Sequence, residues 1–267
     1  MKKIYQFSII LLILLVASGF AYIKWFINNS NFTQNTINTS ESKDKVLYEE
    51  KTILEKNDFF DINVKYPYFK ISSNELNQKI ENLINNNIAD FKKNSIDNFN
   101  AINATMPESE AKIKKPYAPF DYYVNYEISQ LNKNYISLVI NIYYFSGGAH
   151  GVDLVYAFNY DIKNQKEITI QDILNNSQDN LNKLSNIAYN AVIEKMNTFD
   201  VGYIDDMIKS GTEANYDNFQ NFNLIDNGSL IIYFQKYQVA PGSVGLVNIA
   251  IFEPDLQKAG LKLTLDK

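Results

Sequence analysis

The sequence predicts an α+β fold with antiparallel sheets and two main helices, preceded by one N-terminal transmembrane helix. Three observations point there. A hydrophobic run extends from Ile4 to Ile27, apolar residues alternate with period two in several later segments, and two segments repeat them at helical spacing. The order of these segments is strands, helix, hairpin, strand, helix, hairpin, strand. It lacks the strict strand–helix alternation of a parallel α/β fold.

Met1-Lys2-Lys3 is a short basic start, followed by a hydrophobic run from Ile4 to Ile27. Spanning a bilayer takes about 20 apolar residues at 1.5 Å each, so the run is long enough. Lys2 and Lys3 belong on the cytoplasmic side, which places the rest of a single-pass cell-membrane protein outside the cytoplasm. Gly19-Phe20-Ala21 also offers small residues where a signal peptidase reads, so cleavage is the other reading. Tyr22, Ile23, Trp25, Phe26 and Ile27 prolong the apolar stretch and favour a signal anchor over residues 1–27. Residues 28–45 are polar and without hydrophobic periodicity, a flexible linker.

Phe60, Ile62, Val64 and Tyr66 alternate with Asp61, Asn63 and Lys65, a half-buried strand that should end at Pro67. Ser72 and Glu75 have capping-box spacing. Leu76, Ile80, Leu83, Ile84, Ile88 and Phe91 then share one helical face, and that helix should stop before Pro107. From Phe120, alternation through Tyr122, Val124, Tyr126 and Ile128 gives a strand. The turn Asn132-Lys133-Asn134 returns it through Ile136, Leu138, Ile140 and Ile142. Val152 to Asp161 is a further strand, followed by a turn into Glu167 to Ile170. A second helix should start near Ser177 with Leu181, Leu184, Ala188, Ala191 and Val192 inward. Phe222 and Leu224, the turn Asp226-Asn227-Gly228 and Leu230 to Phe234 form a hairpin. Leu246 to Phe252 is the last strand.

Composition excludes several chemistries. The chain has no cysteine and one histidine, His150, so it offers no disulfide, no thiolate nucleophile and no multi-histidine metal centre. Its formal charge is −5, with no basic excess for nucleic acid. No cofactor, metal site or catalytic set is expected. Asp205 and Asp206 are adjacent on a short helix, where side chains diverge, and Asp161 to Asp172 lacks the spacing of a calcium loop.

Two segments leave strands through small residues: Tyr143 to Gly151, YYFSGGAHG, and Tyr237 to Gly245, YQVAPGSVG. They supply the candidate ligand contacts Ser146, Gly147, Gly148, His150, Pro241 and Ser243. His150 is either a general base or ligand contact, with Ser146 or Asp153, or a turn histidine bonded to loop backbone. Neither loop has a phosphate-binding glycine pattern. The 19 tyrosines and 17 phenylalanines suit stacking on sugar rings, but most alternate along strands and read as core.

Three motifs in order, YYFSGGAHG, FNYDIKNQKEITIQDIL and YFQKYQVAPGSVG, resemble the extracytoplasmic region of the RsiV anti-sigma factors. The same region precedes the catalytic domain in PdaC-type peptidoglycan deacetylases. The resemblance runs from about residue 50 to the C-terminus. It implies a PdaC-like N-terminal domain over 46–150 and an RsiV-like C-terminal domain over 151–267. It also implies a place in the cell envelope. In the RsiV group this region recognises lysozyme, and that recognition triggers proteolytic release of a sigma factor. Lysozyme or a cell-wall glycan is therefore the implied partner. Only a few residues precede the hydrophobic run, and the sequence shows no polysaccharide deacetylase domain with its histidine ligands. Neither anti-sigma activity nor deacetylation is expected. Where the family often carries an aromatic residue after Ala-Pro, Gly242 stands here.

The expectation is a non-catalytic, membrane-anchored extracytoplasmic binding or sensing module of the bacterial envelope. The alternatives are a structural envelope protein acting through self-association and a hydrolase using His150.

Overall fold

The computed structural model describes residues 46–107, 113–199, 204–225 and 228–263. The expected anchor over 1–27 and linker over 28–45 lie outside the described residues, as do Asp226 and Asn227 of the expected turn. Among the described residues, no helix is long and apolar enough to cross a membrane.

Six strands form one sheet in sequence order: β1 (Tyr48–Lys56), β2 (Phe60–Phe69), β3 (Phe120–Leu131), β4 (Tyr135–Phe145), β5 (Val152–Asp161) and β6 (Lys166–Glu167). A second sheet contains β7 (Phe222–Ile225), β8 (Ser229–Phe234) and β9 (Val247–Ile251). The helices are α1 (Glu75–Ala104), α2 (Ile170–Ile173), α3 (Gln178–Met196), α4 (Asp205–Thr212) and α5 (Glu253–Lys258), with a 3-10 turn at Tyr216–Phe219. The fold is α+β with sheets dominated by antiparallel pairs. The expected boundary at residue 150 falls between β4 and β5, which are neighbours in one sheet.

One pair departs from the expected antiparallel arrangement. β2 and β3 pair in parallel, from Phe60 opposite Phe120 to Val64 opposite Val124. The reason is α1, a rod of about 45 Å that crosses one face of the sheet and carries the chain back before β3 begins. Pro67 also lies inside β2 instead of ending it. Lys70 N donates to Leu47 O, while Phe69 N turns away from β1 to Asn77 Oδ1. Alternation puts the Pro67 nitrogen on the Phe69 side, beyond the last β3 pair, where no ladder bond is missing.

The expected capping box is absent as well. α1 starts at Glu75 with Asn74 as its N-cap and no side-chain cap bond. Buried Asn77 instead takes both backbone groups of Phe69, at 2.8 and 2.9 Å, and so fixes the entry to the helix. Ile170, at the end of the segment that follows the expected turn, opens α2 because Thr169 and Asp172 form a capping box there. Ser177 does cap α3, accepting from Asn180 N at 3.3 Å.

Two cores follow. Ile80, Ile84, Phe91 and Phe99 of α1 pack on Ile62, Val64, Tyr122, Val124, Leu138, Ile140 and Phe158 of the large sheet. Leu181, Leu184, Ala188 and Val192 of α3 pack on Phe222, Leu224, Leu230, Ile232, Val247 and Ile249 of the small sheet. Side-chain amides join the halves. Asn159 is buried and its Nδ2 donates to Phe222 O at 2.7 Å. Its Oδ1 accepts from Leu224 N at 3.1 Å and from Ser137 Oγ at 2.6 Å. Asn223 Nδ2 donates to Leu138 O at 2.8 Å. Gln235 bonds both backbone groups of Val155, at 2.6 and 3.2 Å, so β5 meets an amide side chain where a further strand would lie.

Candidate functional site

The small sheet covers the face of the large sheet opposite α1 around Ser137, Val139, Val155 and Asn159, all buried. It does not cover the end of that face from which the β4–β5 hairpin projects. Cross-strand register fixes what stands there: Tyr123 opposite Tyr143, Asp121 opposite Phe145, Asp153 opposite Tyr143 and Asp61 beside Asp121. The Tyr123 and Tyr143 rings stack at 6.3 Å with 13° between their planes, and Tyr123 is 39% exposed.

The hairpin loop is built around this pair. Gly147 and Gly148 turn the chain at φ +88° and +122°, angles that favour glycine. Gly151 lies against the Tyr143 ring so closely that a Cβ there would be 2.4 Å from Cε2. Asn98 Nδ2 of α1 holds the loop by donating to Ser146 O at 3.0 Å. The glycines thus serve ring packing and a tight reversal.

The second small-residue loop repeats the device. A Cβ on Gly242 would lie 2.3 Å from the Tyr237 ring. Tyr237 is 53% exposed and holds φ at +71°, a strained conformation for a bulky side chain. Val239 and Ala240 are buried in the second core, and Gln238 Nε2 donates to Gly211 O and Asn218 O, each at 3.0 Å. Pro241 is half-buried and Ser243 exposed. At the base of the loop, Lys236 Nζ meets Asp153 Oδ2 at 3.3 Å, which ties it to the start of β5.

Charge gathers beside the tyrosine pair. Tyr123 Oη donates to Asp121 Oδ1 at 3.3 Å, and Lys56 pairs with Asp61 at 2.7 Å. Burial pushes the Asp121 carboxyl up, with neighbouring Asp61 adding to it. Burial together with Asp121 and Asp61 pushes the Tyr123 phenol up to about 12. Tyr143 is raised by burial, then by Asp121 and Asp153. Both phenols therefore stay protonated and keep O–H donors over the neutral range. The patch offers aromatic faces, hydroxyl donors and carboxylate acceptors together.

The candidate residues named from sequence divide. Ser146, Gly147, Gly148 and His150 form the hairpin tip, and Pro241 and Ser243 belong to the second loop. Among the described residues, no hydrogen bond or ion pair joins the two sets directly. His150 is exposed, with Nδ1 2.9 Å from Gly151 O. Asp153 is engaged by Lys236, so a base pair with His150 is not formed. No group of three or more His, Asp or Glu side chains among the described residues is arranged to hold a metal ion. Sequence reasoning missed Asp121, Tyr123, Lys236 and the protruding Tyr237. The register that pairs Tyr123 with Tyr143 depends on an irregularity between Ile128 and Gln130, which shifts the pairing by one residue.

Residues 53–153 match the family model described as Deacetylase PdaC, and residues 171–251 match Protein of unknown function (DUF3298). The stretch that matches the PdaC model is thus followed by the stretch that matches the DUF3298 model. The peptidoglycan-N-acetylmuramic acid deacetylase PdaC of Bacillus subtilis (strain 168) is 29% identical over 253 residues, 94% of this chain and 49% of that protein. The chain thus spans about half the length of that curated relative. A DUF3298 family member from Bacteroides fragilis NCTC 9343 shares the fold, with a TM-score of 0.51 at 16% identity over 82% of this chain and 92% of that one. The tyrosine pair lies in the PdaC region, and Lys236 and Tyr237 lie in the DUF3298 region.

Proposed function

We propose that this chain is a cell-wall-related extracytoplasmic protein, anchored by its N-terminal hydrophobic run, that binds a cell-wall glycan through Tyr123 and Tyr143. The observation that carries the reading is the partly exposed stack of these rings beside Asp121, where the hairpin loop and the base of the second loop also lie. A sugar ring presents an apolar face to an aromatic ring and directs its hydroxyls to acceptors at the edge. The patch offers both. The named relative, a peptidoglycan deacetylase, supports a cell-wall setting. Its catalytic activity is not part of the proposal.

Tyr237, half-buried Ser146 and the exposed tip at Gly148 and His150 are the flanking contacts in this reading. Calorimetric titration with soluble muropeptides tests it, alongside lysozyme as a protein ligand. Saturable binding of muropeptide that disappears in Tyr143→Ala supports a glycan site. Binding of lysozyme alone would replace the glycan with a protein partner. Hydrolysis of the fragments that is lost in His150→Ala would replace binding with catalysis.

A further inference from the structure

The outer edge of β5 contains a second feature, far along the strand from the hairpin. β6 covers this edge only at Tyr160 and Asp161. Gln235 closes it at Val155, and Asn221 Oδ1 accepts from Ala157 N at 3.1 Å. Ile168 N donates to Asn159 O at 2.8 Å. Backbone groups of Val155, Ala157 and Asn159 face outward, since those of alternate residues face β4: Ile162 N, for example, donates to Asn134 O at 2.8 Å. Two outward groups are left between these closures, the Ala157 carbonyl and the Asn159 amide. Among the described residues neither has a hydrogen-bond partner.

Those groups flank Phe158 at a cleft of about 370 Å³. Lys79 and Leu83 of α1 line one wall, and Tyr216, Gln220 and Asn221 line another. The cleft lies where the PdaC region meets the DUF3298 region, and its volume is within the range of small-ligand sites. An unmatched carbonyl and amide on either side of one strand residue are the groups that one residue of a parallel neighbour engages. An antiparallel neighbour would also need Ala157 N–H, which Asn221 already holds.

We propose that this cleft binds a short extended peptide, one residue of which adds in parallel to β5 beside Phe158. Its N–H donates to Ala157 O, and its carbonyl accepts from Asn159 N–H. This is β-augmentation confined to a single residue, with Gln235 and Ile168 closing the edge on either side. The walls supply amide and tyrosine side chains for the peptide flanks. The site is separate from the tyrosine pair and does not depend on the glycan reading.

The test uses the full chain, labelled with nitrogen-15, and capped trialanine as probe. The Asn159 amide resonance should move saturably, while the Val155 amide, already bonded to Gln235, should stay in place. Capped trialanine methylated on its middle nitrogen should bind about tenfold more weakly, since it lacks one backbone donor. Gln171→Trp, which fills the cleft from its wall, should abolish the shift, and Tyr143→Ala should leave it intact. An unmoved Asn159 resonance at the highest soluble peptide concentration overturns the proposal. Equal binding of the methylated peptide does so as well.

Discussion

Tyr237 holds a left-handed backbone angle that costs a side-chain-bearing residue roughly 1–2 kcal/mol, yet more than half of it is exposed. The angle lies in the turn closed by Gln238 N donating to Gln235 O at 3.0 Å, which leads into buried Val239 and Ala240, so the strain is held by the loop. Tyr237→Gly should leave the urea unfolding midpoint unchanged or raise stability by up to about 1 kcal/mol, while weakening muropeptide binding. Gly151 and Gly211 make a contrasting pair. A Cβ on Gly151 meets the far end of the Tyr143 side chain, whereas one on Gly211 would lie 2.1 Å from the Gln238 carbonyl oxygen. Gly211→Ala should therefore cost about 1–3 kcal/mol in chemical denaturation. Gly151→Ala should cost less but displace Tyr143, and so lose ligand. Asp121 adds a pH dependence. Its folded pKa lies above the ordinary 3.8, so the native state takes up a proton more readily than the unfolded chain. Its contribution to stability is thus unfavourable above the folded value and is relieved as pH falls towards 3.8. Asp121→Asn should stabilise the protein at neutral pH and make little difference below that window, as denaturation across pH would show.

At the scale of elements, Asn159 has the greatest consequence. It joins β4, β5 and β7 through Ser137, Phe222 and Leu224, and it is 3% exposed. Asn159→Ala removes three buried bonds, though Leu224 N keeps Ser137 Oγ at 2.9 Å and Phe222 O keeps Asn223 Nδ2 at 3.3 Å, and should cost about 1–3 kcal/mol in urea unfolding. Such joints are where the sequence was least legible. Period-two alternation exposed β3, β4 and β5, and an apolar stripe exposed α1 as far as Phe91. Beyond Phe91 the buried face passes through Ser95 and Asn103, polar residues that return their bonds to Phe91 O and to the Ile113 backbone. A stripe interrupted by buried polar groups has no hydrophobic period to detect. The parallel pairing of β2 with β3 was hidden for another reason: strand direction depends on where a connecting helix leaves the chain, not on alternation. The tyrosine stack was hidden by the one-residue shift near Ser129, without which Tyr123 would face Tyr144. The two small-residue loops were legible because clustered glycine and proline mark turns, but their packing against tyrosine rings was not.

For the whole molecule, one core lies between α1 and the large sheet and the other between α3 and the small sheet, and the tyrosine pair and the second loop reach the same end of the large sheet from different regions of the chain. The hydrophobic run before residue 46 should retain the chain in the membrane fraction, with the folded region accessible to protease added outside intact cells. Recovery from the cytosol would remove the extracytoplasmic setting that the glycan reading needs. The binding claim itself is tested most directly by calorimetric titration of the full chain and its Tyr143→Ala variant with soluble muropeptides under one set of conditions. The expected result is saturable heat for the unaltered chain and its loss in a variant that remains folded. Identical heats for the two proteins, or none for either, would contradict a glycan site at Tyr123 and Tyr143.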